Sequence, residues 1–402
     1  MDISWSPAEQ AFQQEVRAFL AAELDEDLQA AGRLMTSVYA EHEASMRWQA
    51  ILLKQGWLAP AWPVEYGGCD WTPAQHYIFA SEQAKAGAPP ISPMGIRMCA
   101  PALIAFGSEQ QKQFFLPRML SGEHFWCQGY SEPEAGSDLA ALQMSAVDDG
   151  DALICNGGKI WQTHANEANW IFCLVRSSKE ARPQQGISFV LIDMHSPGVE
   201  VRPIVSLSGE HIQNQVFFTD VRVPKTRVVG QLGEGWTVAK YLLEFERGGT
   251  AYAPLMQVRL AEIRAAAQRS GAIDQPLFAA RLAQTEIDVG NLEYYELQTL
   301  CLLAEGQSPG SNASVMKILG TELQQAVTEL GMELAAEYGR AYQPQAGRPG
   351  GPISYPHGEQ FSGPAGAALA PLRYFNERAG SIYAGSNEIQ KNILAKAALG
   401  LT

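Results

Sequence analysis

The hydrophobic pattern of the chain changes period twice, and this feature most constrains the fold. Residues 1–124 carry the spacing of amphipathic helices, with capping-box start signals at Ser6, Thr72 and Ser108. Short β-rich runs replace that spacing over residues 125–232. The helical period then returns and holds to the C-terminus. We therefore predict an α+β protein with an N-terminal helical domain at 1–124, a middle β domain at 125–232 and a C-terminal helical domain at 233–402.

Within these regions the sequence makes finer predictions. The β-rich runs lie at residues 152–155, 170–175, 187–192, 199–203 and 216–223. Residues 238–267 are typical of one long helix, interrupted only by Gly248-Gly249 and by Pro254. Proline removes a helical N–H and clashes with the preceding turn, so we expect Pro117 to break the helix that contains it.

Composition excludes several classes of function. A chain of 402 residues is long enough for two or three packed domains. Its 29 basic and 43 acidic residues give a net charge of −14, which argues against nucleic-acid binding. The six cysteines form no CxxC pair, so we expect free thiols and no metal site. With no export signal and no apolar run of about eighteen residues, we expect a cytoplasmic protein that does not span a membrane.

Three polar segments carry the candidate site. They are residues 128–138 (QGYSEPEAGSD), 159–163 (KIWQT) and 383–390 (YAGSNEIQ). Small residues, hydroxyls and free backbone N–H groups in a tight turn allow close approach to a flat ring or a phosphate. In this order and spacing the segments resemble the acyl-CoA dehydrogenase family, flavoenzymes that oxidise acyl-CoA thioesters to 2-enoyl-CoA. The resemblance runs over nearly the whole chain.

The resemblance implies a fold and a set of site residues. The family fold has an N-terminal all-α domain, a β-barrel-like middle domain and a C-terminal four-helix bundle, with FAD between the last two. Carried onto this chain, the residues expected to bind FAD are Gln128, Tyr130, Ser131, Gly136, Ser137, Trp161, Thr163, Ser386 and Glu388. Those expected to bind the acyl-CoA substrate are Ser137, Glu244, Arg247, Tyr383 and Gly385. No metal is implied.

The catalytic base is the point at which this chain departs from most of the family. The reaction needs a base for the α-proton, and most members carry a glutamate between the Tyr and Gly of the C-terminal segment. Ala384 occupies that position here and cannot accept a proton. A minority branch, typified by isovaleryl-CoA dehydrogenase, has its glutamate before an arginine on the helix that follows the β domain. The resemblance therefore implies Glu246, followed by Arg247, as the base, with Glu244 nearer the pantetheine part of the ligand.

Two further departures concern assembly. Family elements that serve a neighbouring subunit's flavin, an Arg-x-x-Phe-Gly and a Gln-x-x-Gly-Gly, are replaced here by residues 267–271 (AQRSG) and 333–337 (ELAAE). Such losses resemble branches whose active form is a heterotetramer of two related chains, as in bacterial steroid side-chain and dicarboxylate catabolism. The expected partners are an acyl-CoA, an electron-transfer flavoprotein as electron acceptor, and either further copies of this chain or a related chain.

Two alternatives use the same fold. A flavin-dependent monooxygenase would need no carboxylate base, and Glu246 and the Trp161-x-Thr163 motif argue against it. A non-catalytic subunit of a heteromeric dehydrogenase would lack a carboxylate at both base positions, which Glu246 also contradicts. The identity of the acyl group is left open, with Gly248-Gly249 favouring a bulky or branched one.

Overall fold

The N-terminal region is helical, as its periodicity predicts. The computed structural model describes residues 4–247, 251–305, 307, 310–353 and 360–401, and it leaves out the side chains of residues 243–247 and 365. Capping boxes form at Ser6, Thr72 and Ser108. The helices of this region are α1 Pro7–Glu23, α2 Glu26–Arg33, α3 His42–Gln55, α4 Pro73–Ala86, α5 Ala100–Phe106 and α6 Glu109–Ser121, with a π-helical turn at Met94–Cys99 before α5.

Helix α6 continues through Pro117, so the predicted break is wrong. Phe115, Leu116 and Met119 on either side of the proline are buried in the core of the N-terminal region. Their burial stabilises the helix more than the loss of one hydrogen bond weakens it. The helix ends instead at Ser121, where Gly122 adopts the left-handed conformation with φ of 80°.

The middle region forms one eight-stranded sheet in the order β6-β7-β3-β2-β4-β5-β8, with β1 paired to β4. All five predicted β-rich runs lie in strands. The short strands β1, β2 and β8 are additional. The strands are β1 Trp126–Gly129, β2 Ser145–Asp149, β3 Ala152–Ile160, β4 Trp170–Arg176, β5 Ile187–Asp193, β6 Val199–Ile204, β7 Gln213–Pro224 and β8 Val228–Val229.

The central strands β4 and β5 are buried on both faces. Alternate side chains point to opposite faces of a strand, and here each face joins a different core. Phe172 on β4 and Phe189 on β5 pack with the N-terminal helices, as do the side chains two residues away on the same strand face. Ile171 and Val190, on the opposite face, pack in the interior of the β region. The sheet is thereby fixed against the helical region by a continuous apolar interface.

The described part of the C-terminal region contains six α-helices. They are α7 Gly235–Arg247, α8 Ala253–Ser270, α9 Pro276–Ala304, α10 Asn312–Ala335, α11 Ala365–Glu377 and α12 Asn387–Leu399. The single long helix predicted over residues 238–267 is two helices, α7 and α8. The carboxylate of Glu296, on α9, accepts hydrogen bonds from the backbone N–H groups of Tyr252 (2.7 Å) and Ala253 (3.2 Å) and so caps α8. Gly248 and Gly249 lie outside the described residues.

The remaining global expectations concern cysteines and membrane segments. All six cysteines are free, and Cys99, Cys127, Cys155 and Cys173 are buried. Within the described ranges, no helix is both long enough and apolar enough to cross a membrane.

Candidate active site

Strand β1 carries the start of the first polar segment into the site. It runs parallel to β4, with Gly129 opposite Cys173. A Cβ at Gly129 would lie 2.3 Å from the Cys173 Sγ, so only glycine fits this close approach of the two strands. Gln128 is half-buried, and the buried ring of Tyr130 packs edge-on against Phe172 at a centroid distance of 5.9 Å. The sheet therefore fixes where residues 131–138 begin.

The turn after β1 is held by a buried ion pair. The Nζ of Lys159, on β3, lies 2.8 Å from Glu132 Oε1 and also donates to the Tyr130 carbonyl at 3.1 Å. The Glu132 carboxylate further accepts the backbone N–H groups of Gln143 (2.6 Å) and Met144 (2.9 Å). Burial lowers the pKa of Lys159, although Glu132 opposes that shift.

The same turn leaves other residues open to solvent. Gly136 and Ser137 are exposed and Ser131 is half-buried, while Glu132 and Ala135 exchange backbone hydrogen bonds of 3.0 Å at the base of the turn. Hydroxyl and backbone N–H groups are therefore available on the outer side of a rigid turn. This is the arrangement that suits a flat or anionic ligand.

The second segment, at residues 159–163, lies directly beside this turn. The Ile160 N–H donates to the Ser131 carbonyl at 2.9 Å and joins the two segments. Trp161 has φ of 70°, a left-handed conformation that costs a bulky residue on the order of 1–3 kcal/mol. Backbone hydrogen bonds from Gln162 to Asn214 (3.0 Å) and from His164 to Ile212 (2.8 Å) maintain it. Its indole is 60% exposed, whereas Thr163 is buried.

The third segment lies between α11 and α12. Tyr383 is 43% exposed, and Ala384 and Gly385 have left-handed φ values of 54° and 81°. The Ser386 Oγ accepts from the Ile389 N–H at 3.4 Å and caps α12, and Glu388 is exposed in the first turn. Of the three segments, the first two are joined by the hydrogen bond from the Ile160 N–H to the Ser131 carbonyl.

Helix α7 contains the predicted base and the two residues expected at the ligand. Val238, Ala239 and Leu242 bury this helix in the core that also contains Tyr130 and Phe172. Position 246 follows Leu242 by one helical turn. Glu244, Glu246 and Arg247 are in the last turns of α7, but their side chains lie outside the described part of the structure.

Family models cover nearly the whole chain. The N-terminal, middle and C-terminal domain models of acyl-CoA dehydrogenase match residues 6–123, 127–221 and 233–399. The chain belongs to the acyl-CoA dehydrogenase family. It is a flavin-dependent oxidoreductase with the three-domain fold that the sequence predicts.

Relatives with known names agree with this assignment. The acyl-CoA dehydrogenase IpdE1 of Mycobacterium tuberculosis is 36% identical over 399 residues, covering 97% of each chain. Among solved structures, the "Tcur3481-Tcur3483 steroid ACAD" superposes with a TM-score of 0.83 at 27% identity, covering 100% of both chains. The ChsE4-ChsE5 complex from Mycobacterium tuberculosis superposes with a TM-score of 0.81 at 28% identity, also over 100% of both chains.

The exposed groups of this dehydrogenase fit a flavin. An indole held outward in a strained conformation, next to an exposed small-residue turn, offers an aromatic surface and hydrogen-bond donors on one edge of the sheet. Sequence reasoning missed the importance of Glu132 and Lys159. The alternation of β3 was a usable signal, because it assigns Lys159 to the same buried face as Leu153 and Cys155. A buried lysine requires a carboxylate partner.

We predict that Lys159→Met destabilises the dehydrogenase by about 3–5 kcal/mol, because it leaves the Glu132 carboxylate buried without its counter-charge. Chemical denaturation would measure the loss. Lys225→Met is the matched control, since it breaks an exposed 2.6 Å pair with Asp148 and should cost less than about 1 kcal/mol. Equal losses in the two variants would contradict a structural role for the buried pair.

Proposed function

We propose that this enzyme catalyses the FAD-dependent α,β-dehydrogenation of an acyl-CoA thioester to the trans-2-enoyl-CoA, with Glu246 as the base. One observation carries the proposal. Ala384 occupies the position where most of the family has its glutamate, while α7, which contains Glu246, packs on the sheet face that bears Tyr130 and the first polar segment.

The proposed role of each group in the reaction follows from its chemistry. Glu246 removes the α-proton, and a carboxylate enclosed by the acyl chain and a ring system has the raised pKa that this step needs. FAD would supply, at its N5 atom, the acceptor for the hydride that leaves the β-carbon. The C–H electron pair at the α-carbon becomes the new double bond, so charge and electrons balance. Backbone N–H groups and hydroxyls near the thioester carbonyl stabilise its developing negative charge.

The other predicted residues bind and orient the two ligands. Trp161 offers an exposed aromatic surface to the ring, and we assign Tyr130 and Thr163, which are both buried, to the same cofactor. Residues Gln128, Ser131, Gly136, Ser137, Ser386 and Glu388 contact the remainder of the cofactor. On the substrate side we assign Ser137, Glu244, Arg247, Tyr383 and Gly385 to the CoA thioester. The domain boundaries at residues 124 and 232 remain predictions.

We expect Glu246→Gln to bind FAD and acyl-CoA but to reduce the rate of anaerobic flavin bleaching about a hundred- to ten-thousandfold, because the amide cannot take the α-proton. Ala384→Glu in that background supplies a carboxylate at the majority position. Ala384 is exposed and already carries a Cβ at φ of 54°, so the glutamate adds little backbone strain, and we expect partial recovery. Bleaching near the wild-type rate in Glu246→Gln would assign the base elsewhere.

That experiment also separates the alternatives. A flavin monooxygenase would keep oxygen-dependent turnover in Glu246→Gln, because its chemistry needs no α-proton base. A non-catalytic subunit would show no bleaching in the wild-type chain either, with any acyl-CoA offered.

The assignment of the flavin segments predicts that Trp161→Ala combined with Ser131→Ala yields a folded protein that retains little FAD. The double variant removes the exposed aromatic surface and a hydroxyl of the adjoining turn without touching a buried contact. The flavin-to-protein absorbance ratio measures occupancy. Trp5→Ala, which removes an indole that packs on Tyr77 in the N-terminal region, is the control and should keep its flavin. Full occupancy in the double variant would refute the assignment.

We further propose that the active assembly includes a second, related chain and passes its electrons to an electron-transfer flavoprotein. Residues 267–271 and 333–337, which lack the family's cross-subunit motifs, lie at the C-terminal ends of α8 and α10. Glu333 there is engaged by Arg281 of the same chain. Two of the similar structures are named as pairs of chains, which supports the same organisation here, and one of the two is named a steroid enzyme, which supports a bulky acyl group.

Native mass measurement of the chain expressed alone tests this assembly. We expect incomplete oligomers with less than one flavin per chain, because each flavin lacks its contacts from a neighbouring subunit. Co-expression with the related chain should restore a stoichiometric complex. A homotetramer that holds one flavin per chain would exclude the need for a partner.

A further inference from the structure

The side chain of Asn214 binds the second polar segment at the point where strand β3 ends. The ladder between β3 and β7 has its last pair at Ile160 and Gln215. Beyond that pair, the Gln162 N–H donates to the Asn214 carbonyl at 3.0 Å, and the Asn214 Nδ2 donates to the Gln162 carbonyl at 3.0 Å. Asn214 is fully buried. Its main chain and its side chain therefore both bind the residue that follows Trp161.

These hydrogen bonds maintain an unusual backbone conformation at Trp161. Alternate residues of a strand face opposite sides, so a regular continuation of β3 would direct Trp161 to the same buried side as Lys159. The φ of 70° at Trp161 turns the indole outward instead, where it is 60% exposed, and Gln162 is buried. Such a conformation is unfavourable for a bulky residue, so it persists only where neighbouring contacts impose it.

The orientation of the Asn214 amide follows from its partners. The backbone carbonyls of Gln162 (3.0 Å) and Ile212 (3.3 Å) can only accept, so the nitrogen of the amide must face them. The Asn214 Oδ1 then faces the Nε2 of His211 at 2.6 Å, and that nitrogen carries the hydrogen of the bond. His211 therefore orients the amide that binds the Gln162 carbonyl.

The loop between β6 and β7, which leads to these side chains, is anchored outside the proposed flavin segments. The buried carboxylate of Glu210 accepts from Thr36 Oγ1 at 2.5 Å and from Asn376 Nδ2 at 2.9 Å. The His211 N–H donates to the Pro352 carbonyl at 2.7 Å. These contacts come from the N-terminal region, from α11 and from the segment after α10. The loop is therefore a fixed support, and the strained residues beside it conform to it.

We propose that Asn214, oriented by His211, is a positioning residue for the flavin, because it holds Trp161 in the left-handed conformation that keeps the indole against the flavin ring. The inference rests on the proposed flavin-binding role of Trp161 and adds a residue that acts through it. Without the amide, the Gln162 carbonyl loses its partner in a buried site. Residue 161 then relaxes toward an ordinary strand conformation, which withdraws the indole from the ring.

A double-mutant cycle tests whether Asn214 acts through Trp161. The affinity for FAD and the visible circular dichroism of the bound flavin are measured on the assembled full-length protein, for the wild type, Asn214→Ala, Trp161→Ala and the double variant. We expect Asn214→Ala to weaken FAD binding about tenfold and to change the dichroism in the same direction as Trp161→Ala. In the Trp161→Ala background, Asn214→Ala should change FAD affinity by less than about twofold.

Asn156→Ala is the matched control. Asn156, also on β3, donates from Nδ2 to Asp220 Oδ1 at 3.0 Å and accepts from the Asp220 N–H at 2.9 Å. Asp220 is left-handed as well, with φ of 51°, and it is exposed. Asn156 therefore supports a strained residue in the same pair of strands, but one without an assigned role at the site. FAD affinity and dichroism should keep their wild-type values in this variant.

Substitutions of His211 give a second and milder test. His211→Leu removes the donor that orients the Asn214 amide, whereas His211→Gln supplies an N–H that can replace it. We expect weaker FAD binding with leucine and most of the wild-type affinity with glutamine. Because His211 is only half-buried, these variants apply even if Asn214→Ala does not fold.

The outcomes separate this inference from the proposed function. Equal losses of FAD affinity from Asn214→Ala in both backgrounds would show that Asn214 only stabilises the fold, and they would overturn the inference. Wild-type FAD affinity in Asn214→Ala or in Trp161→Ala, or equal affinities of the two His211 variants, would overturn it too. If the coupling is observed but no acyl-CoA bleaches the flavin, the proposed dehydrogenation fails while the positioning role stands.

Discussion

The buried ion pair between Lys159 and Glu132 is the interaction on which the candidate site most depends. It joins strand β3 to the turn after β1, and each partner makes further hydrogen bonds to backbone groups of that turn. An ion pair taken out of water stabilises little by itself, but removing one partner is costly. Its effect is therefore conformational. It allows one arrangement of residues 130–144 and keeps Ser131, Gly136 and Ser137 on the solvent side, next to the outward indole of Trp161.

Strands β4 and β5, which are buried on both faces, connect the candidate site to the rest of the molecule. One of their faces belongs to the interior of the β region and the other to a core shared with the N-terminal helices and α7. The same apolar packing that stabilises the fold therefore places the helix of the proposed base over the sheet that bears the proposed flavin-binding segments. If the base is on α7, as we propose, that helix must be rigid, and it is buried by Val238, Ala239 and Leu242.

The sequence by itself determined the order of helical, β and helical regions, the capping boxes, the five main β-rich runs and the family, because these depend on local periodicity and on short motifs. It also named the flavin, base and substrate residues, which remain predictions, as do the domain boundaries. Tertiary structure alone decided the division between α7 and α8, where a carboxylate from α9 caps the new helix, and the passage of α6 through Pro117. It alone paired Lys159 with Glu132. Each of these depends on contacts between residues far apart in the chain, and the burial that makes such contacts strong exists only once the chain has folded.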